Sequence, residues 1–120
     1  MSIQDEIAKA IGAHGVWKMK LHTAIDTGKA DANAADVAKD NVCAFGQWLY
    51  GPTLPANVRT SDDYNAVRKL HADFHKCAGK VLECVGQGNK AKAETLMHGD
   101  YAKISSGLTS AMMKWKAAAH

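Results

Sequence analysis

The chain has 120 residues, enough for one domain with a substantial core and too few for two, so we expect a single domain over residues 1–120. Its apolar fraction of 47% and charged fraction of 22% argue against a disordered or fibrous protein. The net charge of +3 is spread along the chain without a basic stripe, which argues against nucleic-acid binding.

Hydropathy and cysteine usage indicate the cellular compartment in which the protein is expected. No apolar run approaches the roughly eighteen residues that a membrane span requires, and the N-terminus lacks the pattern of a signal peptide. The three cysteines Cys43, Cys77 and Cys84 make an odd number without a disulfide framework, which is typical of a reducing compartment. We therefore expect a cytoplasmic protein that does not bind a membrane, with Cys77 and Cys84 as buried or half-buried thiols.

A first helix is predicted from Ile3, because apolar residues recur at three- and four-residue spacing until Gly28 ends the pattern. His14 falls inside this apolar stripe, where a buried imidazole needs a partner such as a metal, a carbonyl or a carboxylate. His22 falls on the flank of the stripe, where a solvated histidine is the ordinary expectation.

A second helix is predicted to begin at a cap on Asn33 or Asp31 and to end at Gly51 and Pro52. Cys43 lies next to the apolar seam of this helix. The inward positions are Val37 or Ala38, Val42, Phe45 and Leu49. The connection that follows, residues 51–57, contains both prolines and is predicted to be the most irregular part of the fold.

Two histidines one helical turn apart, His71 and His75, lie on a third predicted helix that Ser61 caps. Two imidazoles at this spacing can turn toward one point, although such a pair also arises by chance. A fourth helix follows the turn at residues 86–89 and extends to Trp115. Four amphipathic helices with short connections predict an all-α fold, an antiparallel four-helix bundle with a site between its helices.

The candidate ligands His14, Cys43, His71 and His75 supply three imidazoles and one thiolate, which are the donors that zinc takes in a tetrahedral site. They favour zinc over magnesium or calcium, although copper or nickel can occupy the same ligands. Four protein ligands leave no position for a substrate water, so we expect no enzyme. Asp73 points away from His71 on its helix and cannot act as a metalloprotease base.

Three motifs in this order resemble the signature of the bacterial chemoreceptor zinc-binding domain family. They are His14-x-x-Trp17, Cys43-x-Phe45-Gly46-x-Trp48-Leu49-Tyr50-Gly51 and His71-x-x-x-His75, supported by Leu96, Gly99, Tyr101, Ser105 and Leu108 in the last helix. The resemblance implies that His14, Cys43, His71 and His75 ligate one zinc ion inside a four-helix bundle.

Aromatic, glycine and acidic residues near the four candidate ligands could support a metal site. The aromatic rings of Trp17, Phe45 and Trp48 would dry and shape a metal site or simply form core, and Gly46 could allow a close approach to the backbone. Asp36 and Asp40 could accept an imidazole N–H, although such carboxylates are more often solvated.

The resemblance implies a zinc-binding sensory or regulatory domain of bacterial signalling, of the chemotaxis or cyclic-di-GMP type. Its signal would be zinc occupancy or oxidation of the zinc-bound cysteine, since hypochlorous acid attacks such sites in some family members. The resemblance also implies a homodimer and a signalling partner of the chemoreceptor or diguanylate cyclase type. The alternative is a helical scaffold or interaction protein with a purely structural zinc.

Overall fold

A computed structural model of the chain describes residues 3–29, 34–39, 43–52 and 54–118, most of which are helical and none of which is in a strand. The α-helices are α1 (Ile3–Thr27), α2 (Ala34–Val37), α3 (Ala44–Tyr50), α4 (Ala56–Arg59), α5 (Asp62–Gly86), α6 (Lys90–Leu96) and α7 (Ala102–Ala118). One π-helical turn, Met97–Tyr101 (the π segment), joins α6 directly to α7. The predicted all-α fold is confirmed. Among these residues no helix is long and apolar enough to cross a membrane.

Contacts between helix ends give the topology of the bundle. The Gln4 side-chain amide, at the start of α1, donates to the carbonyl of Lys116 at the end of α7, at 3.4 Å. Asp63, at the start of α5, pairs with Lys114 of α7 at 3.8 Å. Both α1 and α5 therefore run antiparallel to α7. Because α2 packs on α5 and α3 packs on α1, these two short helices occupy the fourth side of the bundle.

The second helix is divided, so the prediction of one continuous helix up to Gly51 is wrong. α2 ends at Val37, and the chain enters α3 only after Cys43, whose φ of −70° and ψ of 160° are extended values. Cys43 is the N-cap residue of α3, a position that requires a non-helical backbone. Four residues named in the predictions for this helix lie outside the described part of the chain: Asp31, Asn33, Asp40 and Val42.

The end of α1 and the start of α5 lie where the sequence predicts them. Gly28 follows α1 with a φ of 72°, a left-handed value that glycine adopts without a steric penalty. At the start of α5, the Ser61 hydroxyl accepts the Tyr64 N–H at 3.2 Å, and Asp62 and Asp63 lie in the first turn. These ends fix the span of the two helices that carry the three candidate histidine ligands.

The core lies between the facing stripes of α1, α5 and α7. Ile7 and Leu21 of α1, Val67 and Val81 of α5, and Leu108 of α7 are almost completely buried. Three polar residues are buried with them, and within the described residues all three are histidines: His14, His71 and His75. Because a buried polar group needs a partner, these three imidazoles indicate a site within the core.

Candidate metal centre

The structure brings together the four residues that the sequence singles out. His14 projects from α1, Cys43 precedes α3, and His71 and His75 lie on α5; one donor atom from each is within 4.8 Å of the others. The Cys43 Sγ is 3.4 Å from His71 Nε2 and 3.5 Å from His75 Nε2, and these two nitrogens are 3.0 Å apart. Three elements that are distant in sequence therefore converge on one point.

These separations fit the edges of a zinc tetrahedron. With Zn–N bonds of about 2.05 Å and Zn–S bonds of about 2.3 Å, two nitrogens lie about 3.3 Å apart and nitrogen and sulfur about 3.6 Å apart. The observed 3.0 Å between His71 and His75, and 3.4 and 3.5 Å to Cys43, differ from those edges by a few tenths of an ångström. The donors of Cys43, His71 and His75 can therefore hold a metal ion of this size with little rearrangement, and His14 places its donor within 4.8 Å of them.

Backbone carbonyls fix the tautomer of two of the rings. Nδ1 of His14 lies 2.7 Å from the carbonyl oxygen of Ala10, and Nδ1 of His75 lies 2.9 Å from that of Val37. A carbonyl oxygen only accepts, so each Nδ1 carries the proton and donates it. The Nε2 lone pair of each ring is left free for a metal, as in most histidine ligands.

Burial keeps His14 and His71 unprotonated. Removal from water lowers the pKa of His14 to about 4, although the hydrogen bond to the Ala10 carbonyl raises this pKa. Burial, with the neighbouring imidazoles of His75 and His14, lowers the pKa of His71 to about 2. Both rings are therefore neutral at pH 7, which is the form that ligates a metal. His71 is also the ring whose Nδ1 has no hydrogen-bond partner among the described residues.

A profile of the chemoreceptor zinc-binding domain matches residues 14–82, more than half of the chain and the whole span from His14 to His75. The chain belongs to the chemoreceptor zinc-binding domain family. A search of curated proteins and a search of solved structures each returned no match.

The divided second helix has a direct role in this chemoreceptor zinc-binding domain. As the N-cap of α3, Cys43 accepts the Gly46 N–H on its Sγ at 3.3 Å, and its half-buried side chain still reaches the histidines of α5. A thiolate sulfur accepts such an N–H at the positive end of a helix favourably. Gly46 is buried and acts here through its amide; the predicted close approach to its backbone stays a prediction.

Aromatic rings enclose the histidines. Phe45 meets His14 and His71 edge-on at centroid distances of 6.0 and 5.2 Å, which agrees with its predicted place at the site. Phe74 meets His14 at a centroid distance of 5.0 Å and His75 at 5.5 Å, a role that was not predicted although Phe74 directly precedes His75 on α5. These contacts exclude water from one side of the donor cluster.

The other two predicted aromatic residues lie farther out. Trp48 stacks on Phe45 at 5.6 Å and packs on Trp115 at 5.7 Å, so it supports the site through Phe45. Trp17 is half-buried against the core, with the Lys20 ammonium 4.8 Å from its ring centre. Trp17 therefore belongs to the outer part of the core.

Asp36, one of the two predicted carboxylate partners, and the cysteines Cys77 and Cys84 lie outside the donor cluster. Asp36 is exposed and pairs with Lys39 at 3.8 Å, while the adjacent Val37 supplies the oxygen that holds His75. Asp73 pairs with Lys69 at 3.4 Å on the outer side of α5. The free thiols Cys77 and Cys84 are buried, as predicted, and burial raises the pKa of Cys77, which lowers its reactivity.

Proposed function

We propose that this chain is a sensory domain in which His14, Cys43, His71 and His75 bind one zinc ion. The observation that carries this proposal is the convergence of three imidazoles and one thiol within 4.8 Å, in a family of zinc-binding domains. Nitrogen and sulfur donors select zinc over magnesium and calcium. When bound, zinc would link α1, the start of α3 and α5 through one ion.

X-ray absorption at the zinc edge, on protein purified without added metal, tests this ligand set. We expect about one zinc per chain with one sulfur and three nitrogen neighbours. Spectra with nitrogen and oxygen neighbours alone would remove Cys43 from the site. A preparation that retains copper or nickel in place of zinc would contradict the choice of metal.

The proposed signal is oxidation of Cys43. A zinc-bound sulfur is a thiolate at neutral pH, and a thiolate can give two electrons to hypochlorous acid, forming a sulfenic acid and chloride. Cys43 is half-buried and reachable, whereas Cys77 and Cys84 are about 5% and 4% exposed. Loss of the thiolate would remove the only donor that the described residues of the divided second helix contribute, so we expect α3 to separate from α5.

Treatment with one equivalent of hypochlorous acid tests this step. We expect peptide mass spectrometry to find Cys43 modified first, together with zinc release and a change in helical packing. Cys43→Ser should not respond, and Cys77→Ser is the matched control that should respond like the wild type. If Cys77 or Cys84 were modified first while zinc stayed bound, the redox proposal would fail.

The second candidate function is a scaffold with a purely structural zinc, favoured by the four protein donors that close the site to substrate water. The same closed site supports our proposal that the chain is not an enzyme. Zinc affinity separates the two candidates: a site that cellular zinc always fills cannot report zinc concentration, although it can still report an oxidant.

We further propose that the domain acts in the cytoplasm as a homodimer that passes its state to a signalling protein of the chemoreceptor or diguanylate cyclase type. Family membership supports the link to signalling. Sedimentation equilibrium of the zinc-loaded chain tests the dimer, and a monomer at micromolar concentration would contradict it.

A further inference from the structure

A polar groove of about 500 Å³ lies between α1 and the helix that continues from the π segment into α7. Lys18 and His22 line it from α1, and His98 lines it from the π segment. None of the metal donors lines this groove, and none of the described side chains that do is acidic. Its volume is within the range of small-molecule sites.

The basic side chains of the groove have no protein partners in the described part of the chain. Lys18, His22 and His98 are exposed, and the hydrogen bonds and ion pairs among the described residues do not include them. Other lysines, such as Lys9 and Lys114, lie within 4.0 Å of a carboxylate. The groove therefore presents one ammonium group that the described residues do not neutralise, together with two imidazole rings that can donate hydrogen bonds.

Hydroxyl groups form the wall on the α7 side. Ser105, Ser106, Thr109 and Ser110 all line the groove. The Thr109 hydroxyl donates to the carbonyl of Ser105 at 3.0 Å, whereas the serine hydroxyls have no bond to any described residue. Free serine hydroxyls next to ammonium and imidazole groups are donors suited to an anion with several oxygens.

One side of the groove is formed by an unusual backbone. The π segment supplies both His98 and Tyr101, and single π turns inside α-helices often occur at functional sites. Tyr101 is only 1% exposed and packs on Phe74 at a centroid distance of 5.4 Å, so its hydroxyl is shielded from the groove. His98 is exposed, so the π turn presents an imidazole to a molecule in the groove.

We propose that this groove binds a small phosphorylated molecule. A phosphate monoester carries nearly two negative charges and three acceptor oxygens at neutral pH. The ammonium of Lys18 matches that charge. The imidazole N–H groups of His22 and His98 and the serine hydroxyls can donate to those oxygens. Lys18 is one helical turn from His14, so a molecule that bridges α1 and α7 here would contact the helix that carries a metal donor.

Titration of the zinc-loaded, isotope-labelled chain with glycerol 3-phosphate, followed by nuclear magnetic resonance, tests the proposal. Glycerol and an equal ionic strength of sodium chloride are the matched controls, and succinate is the carboxylate comparison. We expect saturable shifts at Lys18, His22, His98 and Ser106 with glycerol 3-phosphate alone.

Two variants at exposed positions locate the site. Lys18→Gln combined with Ser106→Ala should weaken glycerol 3-phosphate binding at least about tenfold. Lys103→Gln removes an exposed lysine of α7 that does not line the groove, and it should leave the affinity within about a factor of two of the wild type. The midpoint of thermal unfolding should be the same for the wild type and both variants, since the substituted side chains are exposed.

Four results would overturn the inference. Shifts that do not saturate, or an equal loss of affinity in Lys103→Gln, would mean that only general charge attraction operates. Equal binding of succinate would show that the groove does not select phosphate. Shifts confined to His14, His71 and His75 with loss of zinc would show that the probe removes the metal instead.

Discussion

Removal of the proposed zinc ion should make the fold sensitive to mild acid, because His14 and His71 are then neutral, buried and unliganded. Burial holds the pKa of His14 at about 4 and that of His71 at about 2, below the 6.5 of an exposed imidazole. The unfolded chain therefore binds more protons than the folded chain as the pH falls below 6.5. The free energy of unfolding must then decrease with acidification, from about pH 6.5 toward the folded pKa values.

The size of the effect follows from these pKa values. Between pH 7 and about pH 5, an imidazole with a pKa of 6.5 stabilises the unfolded state by roughly 1.9 kcal/mol, while the folded rings remain almost unprotonated. His14 and His71 together should lower the free energy of unfolding by about 3–4 kcal/mol. That loss is a large part of the roughly 5–15 kcal/mol that stabilises a typical domain.

Urea unfolding followed by circular dichroism, with the apoprotein compared at pH 7 and at about pH 5, measures this change. The zinc-loaded protein should lose much less stability, because protons must first displace the metal. His71→Gln should remove about half of the pH dependence. A pH-independent apoprotein, or a His71→Gln apoprotein with the same pH dependence as the wild type, would refute the assignment of these buried histidines.

Three further predictions concern binding and stability. His14→Ala should weaken zinc binding at least about a hundredfold and His22→Ala should not change it, as measured by chelator competition; the reverse result would mean that the register of α1 is wrong. Gly51→Ala should cost about 1–3 kcal/mol in urea unfolding, because its Cβ would lie 2.7 Å from the Gln47 carbonyl, whereas Gly12→Ala meets nothing within 4 Å and should gain about 1 kcal/mol. Equal effects at the two glycines would contradict this packing. Ser61→Ala should cost about 1 kcal/mol through loss of the α5 cap, and an unchanged urea midpoint would argue against that bond.

The long helices and the placement of the histidines could be predicted because each depends on local spacing. The three- and four-residue period of α1 places His14 inside and His22 outside, and the structure has them buried and exposed respectively. His71 and His75 follow in the same way from the stripe of α5. Such periodicity is a direct result of helix geometry, so no tertiary information is needed.

The break before Cys43 could not be predicted, because it depends on a tertiary requirement. Val37, Phe45 and Leu49 keep a helical period across the break, so the pattern alone favours one helix. Cysteine is also not a typical N-cap residue. An extended backbone at Cys43 lets its Sγ lie 3.4 Å from His71 on another helix, which is a contact between segments far apart in sequence. The π segment could not be predicted either, because the apolar pattern of the fourth helix continues through Met97 and Tyr101.

The two carbonyl contacts of the donor rings have a kinetic consequence. His14 and His75 are held at Nδ1 by Ala10 and Val37, so their rotation is restricted before a metal arrives. His71 has no such restraint at Nδ1 within the described residues. We therefore expect arriving zinc to meet His14 and His75 already oriented, with the Nε2 atom of each ring available. Metal association should then require little rotation of these two rings.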